Sequence, residues 1–494
     1  MTDPYRLLGV KPFINCCGTR SVHGGSLILP QVRAAMEAAS RQFVNIDELM
    51  ERARLRIASL TGAEDGLVTA GSAAAIAIAT AAALAGNDPV RMLRLPHELP
   101  RRSQVMMLKG HRFPYDQAIR MTRAEIVEID SVADLAAIDT SKIAMIAFLA
   151  SRYSTATVSL EQLVEFGHRH RIPLLVDAAS LPIRRPDAWL ARGADLVVYS
   201  GGKLLRGPQT SGLLLGRKQL IDAAWANSPP HRAFGRPMKV GKEEIVGLVA
   251  ALEAWFTRDE AAERNLWQSS FEAIAAAIAS VPGATLQQIA PDEGEDAPLL
   301  QLTWAGALHG LELRRRLLDG QPRIMLDDVS AGPGRIRLEM VNLQPGEGEI
   351  VGTAIATALL KPVIECYEAQ LPDDLSGSWE FEVQFATHSR THRVSLVSST
   401  AGITGYQDSE AFSGPVKGEV RGATIHLVFE AEYEATIIVY RFAGMLADGK
   451  LAGEVMLGSC TPHSRGEVNC RQYGYAKWRG KRAEAMTRSD DIGL

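Results

Sequence analysis

Two hydrophobic rhythms divide this chain. From about residue 50 to 220, short apolar runs rich in β-branched residues alternate with longer stretches whose apolar positions recur every three or four residues. The short runs, bounded by turn residues, predict strands buried on both faces, and the longer period predicts helices that cover them. Strands are expected at 66–69, 105–108, 126–129, 143–149, 174–176, 196–199 and 212–215, with helices at 48–61, 72–85 and 160–170. That alternation describes a large α/β domain on a parallel sheet.

A long connecting helix is predicted over 242–258. Strands near 299–303 and 335–340 and a closing helix from 347 to about 370 then suggest a smaller α+β unit. After Leu371-Pro372-Asp373-Asp374 the period drops to two, as in Trp379-Glu380-Phe381-Glu382-Val383, His392-Arg393-Val394-Ser395-Leu396 and Ala435-Thr436-Ile437-Ile438-Val439-Tyr440. Gly-containing turns separate these segments, which predicts an antiparallel meander of roughly eight strands, closed into a small barrel. The expected domains are therefore 1–258 (large α/β with its N-terminal segment), 259–370 (small α+β), 371–485 (β meander or barrel) and 486–494 (tail).

Composition narrows the function classes. The 494 residues carry a net charge of -4, so no global basic field favours nucleic acid. Five cysteines without a disulfide-like framework fit a reducing compartment. Met1-Thr2-Asp3-Pro4-Tyr5 lacks the basic and apolar regions of a signal peptide, and the alanine-rich stretch 73–85 is too short to span a bilayer. A cytoplasmic protein that binds no membrane is expected. Cys16-Cys17 is adjacent rather than spaced for zinc, and Cys366, Cys460 and Cys470 lie away from clustered histidines, so no metal is expected.

The chemistry concentrates on Lys203, in Ser200-Gly201-Gly202-Lys203 directly after a predicted strand, and on Asp177, which ends the apolar run Leu174-Leu175-Val176. A lysine on a glycine shoulder with a buried carboxylate on a neighbouring strand suits pyridoxal 5'-phosphate (PLP). The lysine would form the Schiff base, and the aspartate would keep the ring nitrogen protonated. Gly71, Ser72 and Ala73 open the predicted helix 72–85, where backbone N–H groups would cradle a phosphate. Ser200 either gives its hydroxyl to that phosphate or simply ends a strand. His111, on a loop after a predicted strand, would stack on the pyridine ring or shuttle a proton. Arg335 and Arg337 share one face of a strand, and Arg337 is the candidate to hold a substrate carboxylate. Arg112 is a second substrate candidate, and Arg152, Arg206 and Arg236 would be further cations for a phosphorylated substrate.

Taken together, Ile14-Asn15-Cys16-Cys17-Gly18-Thr19, Gly71-Ser72-Ala73-Ala74, Val176-Asp177-Ala178-Ala179-Ser180 and Ser200-Gly201-Gly202-Lys203 through Gly207-Pro208-Gln209 resemble the selenocysteine synthase-like group of fold-type I PLP enzymes. Gly235-Arg236-Pro237-Met238-Lys239-Val240-Gly241-Lys242 is similar to the D-glucosaminate-6-phosphate ammonia-lyase branch of that group, and the likeness covers roughly residues 8 to 368. The resemblance implies an aspartate aminotransferase-like large domain plus a small α+β domain, with the barrel as an addition. It implies Lys203 as the Schiff-base lysine, Asp177 as partner of the ring nitrogen, and Gly71, Ser72, Ala73 and Ser200 as phosphate binders. It also implies a homodimer or higher homo-oligomer in which the Arg236 to Lys242 segment reaches a neighbouring site. Two departures argue against selenium transfer to tRNA: 13 residues precede Ile14 where an RNA-binding domain would stand, and Gly202 replaces the group's usual aspartate.

The leading expectation is a lyase: Lys203 removes the Cα proton of a hydroxylated amino acid, D-configured, sugar-derived or phosphorylated, and β-elimination leads to a 2-oxo acid and ammonia. Racemisation, aldol cleavage and transamination use the same residues and stay open. A non-enzymatic PLP-fold binding or regulatory protein is the alternative from another class.

Overall fold

The computed structural model describes residues 4–289, 297–306, 308–361, 375–399, 402–421, 424–462 and 468–483. The chain divides into two compact units, one of residues 1–327 with 332–360 and the other of 328–331 with 361–494. The expected boundary at 258/259 falls inside the first unit. The boundary at 370/371, the end of the predicted closing helix and the predicted tail lie outside the described residues.

In the first unit, strand β1 (Ile14–Cys16) precedes β2 (Asp65–Thr69), β3 (Gln104–Leu108), β4 (Glu125–Ile129), β5 (Ile143–Leu149), β6 (Leu174–Asp177), β7 (Leu196–Ser200) and β8 (Gly212–Gly216). The last seven form one sheet in the order β2-β8-β7-β6-β5-β3-β4. Strands β3 to β7 pair in parallel, whereas β8 runs antiparallel to both β2 and β7. The sheet is therefore mixed rather than wholly parallel. Only residues 201–211, without a helix, connect β7 to β8, and a parallel crossover needs about a dozen residues or more.

Helix Ser72–Ala85 is buried along most of its length from Ala74 onward. Its small side chains are apolar on every side, which is the composition of a helix sunk into a core. Asn45 caps helix Ile46–Thr61 by accepting from the Glu48 amide at 3.1 Å, and Gly62, at φ 74°, ends it. Both helices cover the sheet with apolar side chains drawn from one continuous core.

Strands β9 (Ala284–Ile289), β10 (Leu299–Trp304), β11 (Ile324–Leu326) and β12 (Arg335–Glu339) follow the helices Lys242–Thr257 and Glu260–Ile278. An antiparallel sheet β12-β10-β9 contacts Glu260–Ile278 through β9, that helix packs on the closing helix Glu347–Leu360, and β11 pairs in parallel with β1. The N-terminal segment is thus tied to the small-sheet end of the unit. Among the described residues, no helix is long and apolar enough to cross a membrane.

The second unit is a closed barrel of eight antiparallel strands, each paired with the next in sequence: β13 (Gly377–Gln384), β14 (Ser389–Ser399), β15 (Gly402–Asp408), β16 (Ser413–Arg421), β17 (Thr424–Tyr433), β18 (Thr436–Ala447), β19 (Lys450–Cys460) and β20 (Asn469–Arg482). Pairing of β13 with β20 removes the edges. The period-two pattern sends Trp379, Phe381, Val394, Phe442 and Trp478 inward, and each is almost wholly buried.

Gly212 marks a tight backbone approach beside the main sheet. A Cβ built there would lie 2.3 Å from the Gly71 carbonyl carbon and 2.6 Å from the Ser72 nitrogen. Because backbone must move to admit it, Gly212→Ala is expected to cost about 1–3 kcal/mol. The check is the urea midpoint of the first unit, which an unchanged value would show to be insensitive to this contact.

Candidate active site

Strands β2, β6 and β7 all end at the edge where β8 begins. The register aligns Thr69, Gly212 and Ser200 across β2, β8 and β7, and sets Asp177 beside Val198. This edge is where open α/β sheets bind ligands, outside the carboxyl ends of their strands. Gly71 sits at φ 89° and ψ 164°, a conformation suited to glycine, and starts helix Ser72–Ala85 without a side-chain cap. Nothing lies within 4 Å of a Cβ built on Gly71. The first turn of a 14-residue helix therefore opens, uncapped, onto free space at the strand ends.

Lys203 lies half-buried on the turn from β7 to β8. The Gly201 amide donates to the Ser211 carbonyl at 2.9 Å, and the Gly207 amide to the Gly201 carbonyl at 2.8 Å, which folds the turn back on itself. A Cβ on Gly201 would meet Ser211 Oγ at 2.0 Å, and one on Gly202 the Gln209 Cα at 2.4 Å. The glycine shoulder is thus a matter of close packing rather than looseness. It also explains Gly202 physically, since an aspartate side chain has no room there.

Sequence reading missed the segment that clamps this turn. The Ser26 amide donates to the Gly202 carbonyl at 3.2 Å and Ser26 Oγ to the Lys203 carbonyl at 2.8 Å. Gln209 Nε2 reaches the Ser21 carbonyl at 3.3 Å, and Arg206 Nε the Leu27 carbonyl at 3.2 Å. Asn342 Nδ2 holds the same segment from the other side, donating to the Gly18 carbonyl at 2.7 Å. The only local signal was the run of small residues around Gly24, Gly25 and Ser26.

Asp177 ends β6, and its Oδ1 accepts from the Ala179 amide at 3.0 Å. Burial pushes its carboxyl above the ordinary range, and the Ala179 N–H and the charge of Lys203 offset this in part. A buried carboxylate of this kind is completed by a cationic N–H.

His111 is buried after β3. Its Nδ1 accepts from the Leu149 amide at 3.1 Å, which leaves the ring proton on Nε2 in the neutral form. Phe148 meets its ring edge-on at 4.4 Å. Leu149 pairs with Asp177 across β5 and β6, so His111 is anchored one strand from the aspartate.

The arginines divide. Arg112 Nε binds Asp116 at 2.6 Å, and its Nη1 binds Glu128. Arg152 Nη1 donates to the Gly110 carbonyl, and burial lowers its pKa. Arg337 stands on the other sheet, on β12, with Nε 3.4 Å from Gln301 Oε1. Arg236 is exposed. The structure therefore gathers Gly71, Ser72, Ala73, Asp177, Ser200 and Lys203 at one edge with His111 beside them, holds Arg112 among carboxylates, and leaves Arg337 on the small sheet.

The open helix terminus, the buried carboxylate and the lysine opposite fit PLP. Gly71, Ser72, Ala73 and Ser200 would hold its phosphate, Asp177 its ring nitrogen and Lys203 its aldehyde carbon.

The profile of the family described as L-seryl-tRNA selenium transferase matches residues 130–270. D-glucosaminate-6-phosphate ammonia lyase of Salmonella typhimurium (strain 14028s / SGSC 2262) is 35% identical over 290 residues, covering 56% of this chain and 76% of that protein. The 5'-C-glycyluridine monooxygenase-decarboxylase of a Streptomyces species is 32% identical over 368 residues, covering 71% of this chain and 90% of that protein. The solved structure of D-glucosaminate-6-phosphate ammonia-lyase superposes with a TM-score of 0.64 at 29% identity, over 73% of this chain and 99% of that one.

The electrostatics of Asp177 have a measurable sign. Its folded pKa stands above the unfolded one, so in the window between them the cofactor-free fold holds a proton that the unfolded chain has lost. Stability therefore falls as pH rises through that window. Urea melts of cofactor-free wild type and Asp177→Asn should diverge against the wild type over that rise, and PLP should reverse the order. A difference flat in pH would remove burial as the governing cause.

Proposed function

The chain belongs to the selenocysteine synthase-like family of fold-type I PLP enzymes, and on that premise we propose an ammonia-lyase acting on a hydroxylated, phosphorylated, sugar-derived amino acid. One observation carries the reading: the uncapped helix at Gly71, the buried Asp177 and Lys203 meet at one sheet edge, in a chain 35% identical to an ammonia lyase for such a substrate. When bound, PLP supplies an electron sink for a bond broken at the Cα of an amino acid.

This chain's residues supply the rest. Backbone N–H groups of Ser72 and Ala73 and the Ser200 hydroxyl hold the phosphate, which anchors the ring. Asp177 stays ionised against the ring N–H, and its burial strengthens that pair. His111, with Nδ1 held by Leu149, keeps a fixed tautomer against the ring. Lys203 Nζ takes the Cα proton, and the tight Gly201-Gly202 turn limits how far that amine can swing. The β-hydroxyl leaves as water, one water is consumed in releasing ammonia, and the net products are a 2-oxo acid and ammonia.

Arg337 is our candidate for the substrate carboxylate. Arg112, already held by Asp116 and Glu128, positions the His111 loop. Arg152, on the turn that follows β5 and with its Nη1 on the Gly110 carbonyl, is our candidate cation for a substrate phosphate. We further infer a cytoplasmic homodimer or larger homo-oligomer, with residues 236–242 facing a neighbouring subunit.

Two measurements test this. Purified wild type should show a visible band that borohydride abolishes and that Lys203→Ala lacks; absence of the band in PLP-supplemented wild type overturns the assignment of Lys203. With D-glucosaminate 6-phosphate and other hydroxy amino acids, ammonia and a 2-oxo acid should appear in equal amounts, and Lys203→Ala should fall by about 10³-fold. Oxygen-dependent release of carbon dioxide would instead favour the type of reaction named for the Streptomyces relative. An inverted amino acid, an aldehyde or a transaminated acceptor would select one of the other PLP reactions.

A further inference from the structure

One end of the barrel differs chemically from the rest of its interior. Trp379, Phe381, Phe442 and Trp478 fill the other end, with neighbouring rings 4.8 to 6.5 Å apart. Towards the turns 385–388 and 409–412, the inward positions become Arg390 and His392 on β14, Gln407 on β15 and Tyr440 on β18. His392 and Gln407 are wholly buried.

Hydrogen bonding fixes the state of this histidine. Gln407 Nε2 donates to the Phe412 carbonyl at 3.4 Å, which turns Oε1 toward His392 Nδ1, 3.2 Å away. An amide oxygen only accepts, so Nδ1 carries the proton. Burial pushes the His392 pKa down to about 4, so the ring is neutral near pH 7 and Nε2 presents a bare lone pair. Among the described residues Nε2 has no hydrogen-bond partner, although the side chain is fully buried. A buried acceptor left in that state costs about 1–3 kcal/mol.

Around it stand Phe412, Phe429 and Tyr440, with ring centroids 5.5, 5.2 and 5.7 Å from the imidazole. A water there would need about two to four polar partners, and these rings offer few. Arg390 closes the same end. Among the described residues its guanidinium meets the Tyr440 hydroxyl and lies over the Phe385 and Phe412 rings at 5.8 and 5.9 Å, with no carboxylate to neutralise it. Phe385 and Phe412 belong to turns and are half-exposed, so they can turn aside.

We propose that this end of the barrel is a binding site for a small aromatic or otherwise apolar organic anion that carries a hydrogen-bond donor. Its acid group pairs with Arg390 and the Tyr440 hydroxyl, its donor meets His392 Nε2, and its apolar body lies among Phe412, Phe429 and Tyr440. An eight-stranded barrel has an interior of the size that side chains fill or that holds one small ligand. This site is independent of the reading of the PLP centre.

The probe is 8-anilinonaphthalene-1-sulfonate, an aromatic anion with one N–H donor, titrated by calorimetry into full-length, PLP-loaded protein. One saturable site per chain is expected, weakened about tenfold or more in Arg390→Gln and about fivefold or more in His392→Leu. His392→Leu should also raise the melting temperature of the ligand-free protein, because it removes an unsatisfied buried acceptor. No saturable site, or a site whose affinity changes by less than about twofold in both variants, overturns the proposal. If His392→Leu does not fold, Arg390→Gln on the half-exposed rim decides alone.

Discussion

A carboxylate buried at the end of β6 is the constraint on which the first unit's working edge depends. Taking Asp177 out of water is unfavourable, and the protein offsets this only in part, through one amide and a lysine charge. The remainder is a standing preference for a cationic N–H at that spot. The strands on either side supply its surroundings: β5 brings the Leu149 amide that fixes His111, and β7 leads into the Lys203 turn. The cofactor reading rests on that desolvated group, while the Leu149 amide fixes the histidine tautomer and the packed turn sets the position of the lysine.

The second constraint is steric. Bringing the Lys203 turn back as antiparallel β8 requires the chain to reverse within residues 201–211 and to slide beneath the start of helix Ser72–Ala85. Glycines at 201, 202 and 212 make that approach possible, because each Cβ would fall 2.0 to 2.4 Å from a neighbouring atom. The Gly71-Ser72 helix start and the strand that leaves the lysine turn are therefore in close backbone contact, and a change at one is felt at the other. Ser26 locks the arrangement from outside by holding the carbonyls of Gly202 and Lys203. The barrel is a contrasting design: its interior carries its polarity on side chains, and among the described residues the His392 acceptor remains unmet.

Much of this was legible along the chain. Each run in the α/β region that was apolar enough to be buried on both faces became a strand of the main sheet, with ends within one residue or so. The period-two segments after residue 375 became the barrel, since alternation has one solution when one face must be dry. Lys203, Asp177 and Gly71 were recognisable because each sits where an apolar run stops, and in a sheet such stops line up at one edge. The antiparallel direction of β8 was not anticipated, although the short link between residues 200 and 212 contained the reason for it.

Other features depend on distances that sequence order does not carry. Ser26 reaches Lys203 across 177 positions, and Asn342 reaches Gly18 across 324. Arg112 looked available for a substrate because a sequence does not show that Asp116 and Glu128 converge on it. The desolvation of Arg152 and His392 is likewise absent from the sequence, because it depends on what packs around a side chain rather than on its neighbours in sequence. The sequence by itself determined the rhythm of elements and the order of the candidate cofactor residues along it. Only the tertiary structure decided which charges are paired and which glycines are sterically required, because desolvation and close contact belong to the packed molecule.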